Sequence, residues 1–280
     1  MTGTGTITVR GCRIAYRHAG ESGTPVVFLH GGGIDDADLS WRHVLPAFDD
    51  DRRLYAPDWP GYGDSTDGTV HSTANYVSVL EEFLDALGLE RVALAGISMG
   101  GAAALGFALG NPDRVDRLAL VSSYGLGGTI PAGPFWKATA HLPGSNAVGW
   151  NAAASSRAAT RAALGAVVAD PGELPAEFLA AVRERASRPD AGLAFEAFQR
   201  NELAADGTPR TDYADELDGL RAPTLLVHGR EDPLFPVEAS TRAAERLPDA
   251  RLEILERCGH WPTRERPGRT AAILRAFFAE

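Results

Sequence analysis

Ser98, Asp232 and His260 are the residues whose types and surroundings could do chemistry together. Ser98 stands in Gly96-Ile97-Ser98-Met99-Gly100. A short apolar run over residues 92–97 predicts a strand before it, and small residues over 102–109 predict a helix after it. A strand running through Gly-x-Ser-x-Gly into a helix places a nucleophile on a sharp turn. Backbone on such a turn is strained, so its neighbours must be small; Gly96, Gly100 and Gly101 meet that need. The turn also puts the hydroxyl at a helix N-terminus, where free N–H groups favour developing negative charge. Taken alone, the pentapeptide describes a glycine-rich turn with an ordinary serine equally well.

The rest of the chain breaks that tie. A serine hydroxyl becomes a good nucleophile when an imidazole takes its proton and a carboxylate holds the imidazole in the right tautomer. Asp232 lies just past an apolar run ending at Gly229, and His260 just past the last such run, in Cys258-Gly259-His260-Trp261. Catalysts in open α/β sheets gather at the carboxyl ends of strands, and the chain order Ser, Asp, His suits a nucleophile on such a turn. No acid stands near residues 122–124, the other position from which a carboxylate could reach. Glu231 adjoins Asp232 but is expected to point elsewhere. His228 falls inside a strand and reads as a core or supporting residue, His30 as a structural hydrogen-bonding residue. His18, His43, His71 and His141 lack comparable placement. A tetrahedral oxyanion needs preorganised donors. The Met99 N–H is one candidate. The other is expected from His30-Gly31-Gly32-Gly33, with Gly32 first and Gly33 next. That loop lacks the spacing of a phosphate cradle, and the histidines and cysteines form no metal-ligand set.

The elements that must position these residues alternate. Residues 6–10 and 12–18 predict a hairpin turning at Gly11, and 25–30 a strand buried on both faces. A helix is predicted over 41–48, a strand over 53–58 and an amphipathic helix over 73–87 ended by Gly88. Another buried strand follows the nucleophile helix, over 115–123. Strand and helix in alternation argue a doubly wound parallel sheet. From 125 to 217 the alternation stops, and helices are predicted over 152–169, 175–187 and 191–203, an excursion that reads as an inserted helical cap. It resumes with strands over 223–229 and 250–256 and helices over 237–247 and 266–278. The expected division is a core of residues 1–124 and 218–280 and a cap of residues 125–217.

Composition bounds the rest. The 280 residues are 44% hydrophobic and 23% charged, with a net charge of −10. That suits one large domain and disfavours nucleic acid as a partner. No apolar run reaches the roughly 20 residues of a spanning helix, and the start lacks a signal-peptide pattern. A cytoplasmic enzyme acting on a small molecule is expected, without membrane partner, metal or cofactor. A homo-oligomer is compatible with the chain. Cys12 and Cys258 read as reduced thiols.

Several motifs now carry a resemblance. His30-Gly-Gly-Gly, Asp58-Trp-Pro-Gly-Tyr-Gly-Asp-Ser65, Gly96-Ile-Ser-Met-Gly-Gly101, Asn111-Pro-Asp-Arg-Val115, His228-Gly-Arg-Glu-Asp-Pro233 and Cys258-Gly-His-Trp261 together resemble the α/β-hydrolase superfamily, in its serine-nucleophile branch. That resemblance implies an α/β-hydrolase fold: a mostly parallel eight-stranded sheet, helices on both faces and an inserted helical cap. Ser98-Met-Gly-Gly, residues 106–115 and Cys258-Gly-His-Trp resemble most the meta-cleavage-product hydrolases, which cut C–C bonds in vinylogous diketo acids. Members of that group have asparagine where Ile97 stands and a polar residue where Ile34-Asp-Asp-Ala-Asp38 is acidic. They also use a cap arginine, for which Arg183, Arg185 and Arg188 are candidates. These departures set a different expectation first: a carboxylesterase-type serine hydrolase working through an acyl-enzyme on a small, fairly apolar ester or lactone. C–C hydrolysis is the alternative. Gly33, Trp261 and Trp136 are the expected substrate contacts. Phe135, Leu142, Val148, Trp150 and Phe178 are further apolar cap residues. A non-catalytic binder of the same fold would not need all three of Ser98, Asp232 and His260.

Overall fold

The structure, a computed structural model, describes residues 3–48 and 52–280. Met1, Thr2 and residues 49–51, which the expected core segment includes, lie outside the described residues. The strands are β1 (Gly3–Val9), β2 (Cys12–Ala19), β3 (Val26–Leu29), β4 (Leu54–Pro57), β5 (Val92–Ile97), β6 (Val115–Val121), β7 (Thr224–Gly229) and β8 (Ala250–Leu255). They form one eight-stranded sheet in the order β1-β2-β4-β3-β5-β6-β7-β8. β2 runs antiparallel to β1 and β4, and the remaining neighbours are parallel. β3, β5 and β7 are buried at every residue, which is why they read as unbroken apolar runs. Arg10 and Gly11 both have positive φ, 50° and 77°, the two-residue turn that matches the twist of a hairpin.

Alternate strand residues feed two apolar layers. Val27, Leu29 and Leu94 face α2 (Thr73–Ala86), α3 (Met99–Gly110) and α9 (Val237–Arg246). Val26, Phe28, Ala93 and Ala95 face α1 (Ala37–Trp41) and α11 (Pro267–Ala279). Between β6 and β7 lie α4 (Gly133–Ala140), α5 (Ser145–Ala154), α6 (Arg157–Leu164), α7 (Ala176–Ala186) and α8 (Leu193–Glu202). A short α10 (Pro262–Glu265) precedes α11.

Local chemistry moves several boundaries. The helix expected over 41–48 starts earlier, because Asp36 caps α1 by accepting from the Leu39 N–H at 2.6 Å. Pro46 leaves only a 3-10 turn at Leu45–Ala47. The helix expected over 152–169 is two helices: α5 ends at Ala154, and Ser156 caps α6 by accepting from Ala159 N at 3.0 Å. α4 falls where no helix was expected, and Pro134 sits within its first turn, a position that needs no N–H. Cys12 and Cys258 are both buried free thiols. Among the described residues no helix is long and apolar enough to cross a membrane.

Candidate active site

Ser98 ends β5 and opens α3 with φ 52° and ψ −119°, a strained conformation for a residue with a side chain. The turn is held by its backbone. Ser98 N donates to Val121 O at 3.0 Å, Tyr124 N donates to Ser98 O at 3.2 Å, and Gly101 N and Ala102 N close the first helical turn on the same carbonyl. The glycines are required by contact. A Cβ on Gly96 would lie 2.4 Å from Gly100 O, and one on Gly100 would lie 2.4 Å from the carbonyl oxygens of both Leu29 and His30. α3 thus packs with its N-terminus directly against the end of β3. Its Met99 N–H has no hydrogen-bond partner among the described residues.

The end of β7 carries the acid. Asp232 Oδ2 accepts from His260 Nδ1 at 2.8 Å, and Oδ1 accepts from Leu234 N and Phe235 N at 2.8 and 3.0 Å. Buried His228 approaches the same Oδ2 with Nε2 at 3.1 Å, and its Nδ1 lies 2.7 Å from Ser240 Oγ. Burial pushes the Asp232 carboxyl up. The charge of His260 and the hydrogen bonds from both imidazoles outweigh it and hold the group well below the usual carboxylate range. Glu231 turns away, as its neighbourhood suggested, and accepts from Cys258 N at 2.8 Å.

The loop bearing His260 is tied from several sides. His260 N donates to Val167 O at 2.9 Å. Glu265 accepts from Gly259 N, Trp261 N and Ala169 N at 2.9, 3.1 and 2.8 Å. One carboxylate thus grips both neighbours of His260 and the segment after α6. Phe235 stands edge-on to the His260 ring, centroids 5.1 Å apart. Neither His260 Nε2 nor Ser98 Oγ has a hydrogen-bond partner among the described residues. The serine–imidazole link is therefore not made in this conformation; such links commonly tighten only around substrate.

The glycine-rich loop follows β3. His30 Nδ1 donates to Gly31 O at 2.8 Å, and His30 Nε2 accepts from Trp59 N at 2.9 Å. The ring is therefore neutral, and burial pushes its pKa down. Gly31 N donates to Asp35 Oδ2 at 2.8 Å, Ser40 Oγ donates to the same oxygen at 2.5 Å, and Trp261 Nε1 donates to Ser40 Oγ at 3.3 Å. A buried chain of polar groups thus joins the residue after His260 to this loop. Burial pushes Asp35 up to about 6. Gly32 N has no hydrogen-bond partner among the described residues. The Phe195 ring of α8 lies 2.4 Å from where a Gly32 Cβ would stand, and Trp150 of α5 is 3.8 Å from the same point on Gly33.

The expected substrate contacts part company. Gly33, with φ 77°, stays in the loop. Trp261 is buried, edge-on to Phe178 of α7 with centroids 5.3 Å apart. Trp136 is half-buried on α4 against the exposed ring of Phe135, at 5.3 Å. A small cavity of about 20 Å³ lies beside the site, lined by Ser123, Tyr124, Gly125, Thr211 and Phe235 among others. Sequence reasoning missed Phe195, Phe235 and Glu265. Phe235 follows Asp232 by three residues and Glu265 follows His260 by five, so nearness to those two was a usable signal; for Phe195 there was none.

The acidic stretch after the loop is internally paired. Arg185 of α7 binds Asp36 at 2.6 Å and Asp38 at 3.2 Å. Asp38 also pairs with Arg17 at 3.1 Å and with Arg42. Arg188 donates to Gly63 O at 2.8 Å. Arg183 donates to Ala154 O at 3.2 Å and has no carboxylate partner among the described residues.

The family model of the alpha/beta hydrolase fold matches residues 24–267. The chain is an α/β-hydrolase. This hydrolase is 32% identical over 257 residues to the 2-hydroxy-6-oxo-2,4-heptadienoate hydrolase of Pseudomonas putida, covering 87% of this chain and 85% of that one. It is also 32% identical over 276 residues to the 2-hydroxymuconate semialdehyde hydrolase of a Pseudomonas species, covering 94% and 89%. Among solved structures, the meta-cleavage product hydrolase CumD of Pseudomonas fluorescens matches this hydrolase with a TM-score of 0.81 at 28% identity, over 98% of this chain and 97% of that one.

Proposed function

We propose that this hydrolase cleaves the C–C bond of a vinylogous diketo acid, a ring-fission product of the 2-hydroxy-6-oxo-dienoate type. The observation that carries the reading is the near full-length identity to hydrolases named for such substrates. It reverses the order set by the sequence, where ester hydrolysis came first. Two departures had favoured the ester. The acids at 36 and 38 are paired with arginine, so they do not repel a substrate carboxylate as bare charges would. Ile97 is packed in the apolar layer with Phe28 and supplies no polar contact in either reaction.

In this proposal Ser98 is the nucleophile, His260 the base, Asp232 its orienting carboxylate, and Gly32 and Met99 the oxyanion donors. Residues 125–217 act as a cap. The dienol first becomes the 2,6-dione, which leaves C5 saturated between the C6 ketone and the C3–C4 double bond. Ser98 Oγ adds to C6 as His260 takes its proton, and the C6 oxyanion meets the Gly32 and Met99 N–H groups. Collapse breaks C5–C6. The electron pair moves to C5 and is delocalised through C4 and C3 onto the C2 oxygen, and protonation gives a 2-hydroxydienoate. Water, deprotonated by His260, then frees the acid from Ser98. Arg183, the one of the three candidates at 183, 185 and 188 without a carboxylate partner among the described residues, meets the substrate carboxylate.

The test is a panel of a 2-hydroxy-6-oxo-dienoate, p-nitrophenyl esters and a lactone, on wild type and Ser98→Ala. The expected result is loss of the yellow dienolate colour with the largest kcat/KM, abolished in Ser98→Ala. Faster turnover of any ester than of the dienoate overturns the proposal in favour of the ester reading.

A further inference from the structure

Beyond the Ser98–His260–Asp232 set stands a second imidazole, and we propose that His228 is a positioning residue that sets the basicity of His260 by donating to the same Asp232 carboxylate oxygen, Oδ2, that His260 binds. This rests on the reading of His260 as the base. His228 is fully buried near the end of β7. Its two ring nitrogens face unlike groups. Nε2 lies 3.1 Å from Asp232 Oδ2 and 3.1 Å from Phe235 O, both acceptors. Nδ1 lies 2.7 Å from Ser240 Oγ on α9, a hydroxyl that can donate. Two acceptors at Nε2 place a ring proton there, and a neutral ring with Ser240 donating to Nδ1 satisfies all three contacts without adding a buried charge. Asp232 then accepts four hydrogen bonds, two from backbone N–H groups and one from each imidazole.

The consequence falls on His260. A carboxylate draws an adjacent imidazolium to itself and makes it harder to deprotonate. Each donor on the carboxylate spreads its charge and weakens that pull. His228 therefore lowers the pH at which His260 becomes available as a base, and it pins Oδ2 at the distance His260 Nδ1 needs. The other ionisable groups facing this pair do not take over the role. Glu231 is turned to Cys258 N, and Glu265 on α10 to three backbone N–H groups. The Cys258 thiol is pushed up by burial and stays neutral, and α9 presents only the uncharged Ser240.

Two measurements test this without the natural substrate. In a long-range 1H–15N spectrum of the full chain, assigned by comparison with His228→Gln, His228 is expected as the Nε2–H neutral tautomer; an Nδ1–H tautomer or an imidazolium at pH 7 overturns the inference. The second is the pH dependence of Ser98 phosphonylation by a fluorophosphonate. In His228→Phe the acid limb is expected to move up by about half to one pH unit, the share of a charged hydrogen bond passed to the neighbouring ring, with a roughly 10-fold lower plateau. His228→Gln, which keeps a donor where Nε2 stood, is expected near wild type. Overlaid wild-type and Phe profiles, or Gln and Phe profiles that shift alike, overturn it. If His228→Phe does not fold, the wild-type tautomer and the Gln profile still decide. Labelling that is absent in wild type or survives His260→Ala overturns the underlying reading instead.

Discussion

Gly100 is the position at which one added methyl group should separate chemistry from folding. Its Cβ would lie 2.4 Å from both the Leu29 and the His30 carbonyl oxygens. Neither oxygen can step aside: Leu29 ends a strand buried in the sheet, and His30 O accepts from Trp59 Nε1 at 3.0 Å. Cβ atoms essentially never come closer than 3.0 Å, and ordinary contact begins at 3.4 Å. The N-terminus of α3 must therefore back away from the end of β3 by roughly 1 Å, a displacement that costs about 10²-fold in rate when it falls at reacting groups. Ser98 and the Met99 N–H travel with α3, whereas Gly32 stays with β3, so the two proposed oxyanion donors separate. Losing one such donor costs about 10²–10³-fold in kcat. Overpacking costs about 1–3 kcal/mol in stability, which a large domain survives.

Gly100→Ala should accordingly remain folded, with its urea midpoint lowered by a modest amount, and lose about 10²–10³-fold in kcat with little change in KM. The assay is single-substrate kinetics on the best member of the substrate panel, with circular dichroism as the control for folding. Gly101→Ala is the comparison, because its Cβ meets a rotatable Ser123 Oγ at 2.4 Å and only milder contacts behind it, Ser123 Cβ at 2.9 Å and Gly96 O at 3.1 Å, and about a 10-fold loss is expected. A Gly100→Ala variant that keeps more than a third of wild-type kcat would show that the placement of α3 does not govern the proposed oxyanion site.

Three further outcomes are expected. Asp232→Asn preserves the shape of the site but presents an amide to His260 Nδ1 and His228 Nε2, so kcat should fall about 10⁴-fold while the urea midpoint changes far less; equal losses in both would assign Asp232 a structural role only. Arg185→Met strips Asp36 of its partner in a mostly buried setting and should cost about 2–3 kcal/mol in urea unfolding, and a loss below about 0.5 kcal/mol would mean the pair is solvated. His30 is held neutral by burial, which pushes its pKa down, whereas the unfolded chain binds a proton near 6.5. Its contribution is present above about pH 6.5 and is lost as pH falls below it. His30→Gln should flatten the fall of the urea midpoint between about pH 6.5 and 5, and identical slopes for the two proteins would contradict the neutral ring.

The sheet and the local turns were legible because their signals are short-range. Val26–Leu29 and Val92–Ile97 read as buried strands from four to six residues each. Gly96 and Gly100 declare a close approach whatever they approach, and the structure supplies the partners: each other's backbone and the end of β3. Asp232 and His260 could be paired from their places just past two predicted strands and from chain order, and the structure brings their side chains to 2.8 Å. The helices between β6 and β7 were less legible. Ser156 splits one apolar stretch into two helices by a single cap, and no periodicity announces that. Phe195 could not be placed over Gly32 because the contact joins residues more than 160 positions apart, and nothing in an isolated phenylalanine says which surface it will cover.

The acidic stretch after the glycine-rich loop makes the same point for charge, and it bears on function. Asp35, Asp36 and Asp38 read along the sequence as a site that would turn away an anionic substrate. In the fold each has been assigned elsewhere. Asp35 takes N–H and O–H donors from Gly31, Asp36 and Ser40, and burial pushes it towards its neutral form, up to about 6. Asp36 caps α1 with one oxygen and binds Arg185 with the other. Asp38 sits among Arg17, Arg42 and Arg185, and although burial works against ionisation, the three guanidinium groups hold its carboxyl below the usual range. Two of these charges fasten α7 to the loop that presents Gly32. A negative stretch in the sequence is thus a positive–negative seam in the structure, one that holds the proposed cap against the proposed oxyanion loop. In the proposed reaction the charge offered to the substrate is set by what remains unpaired, and among Arg183, Arg185 and Arg188 of the proposed cap the one without a carboxylate partner among the described residues is Arg183.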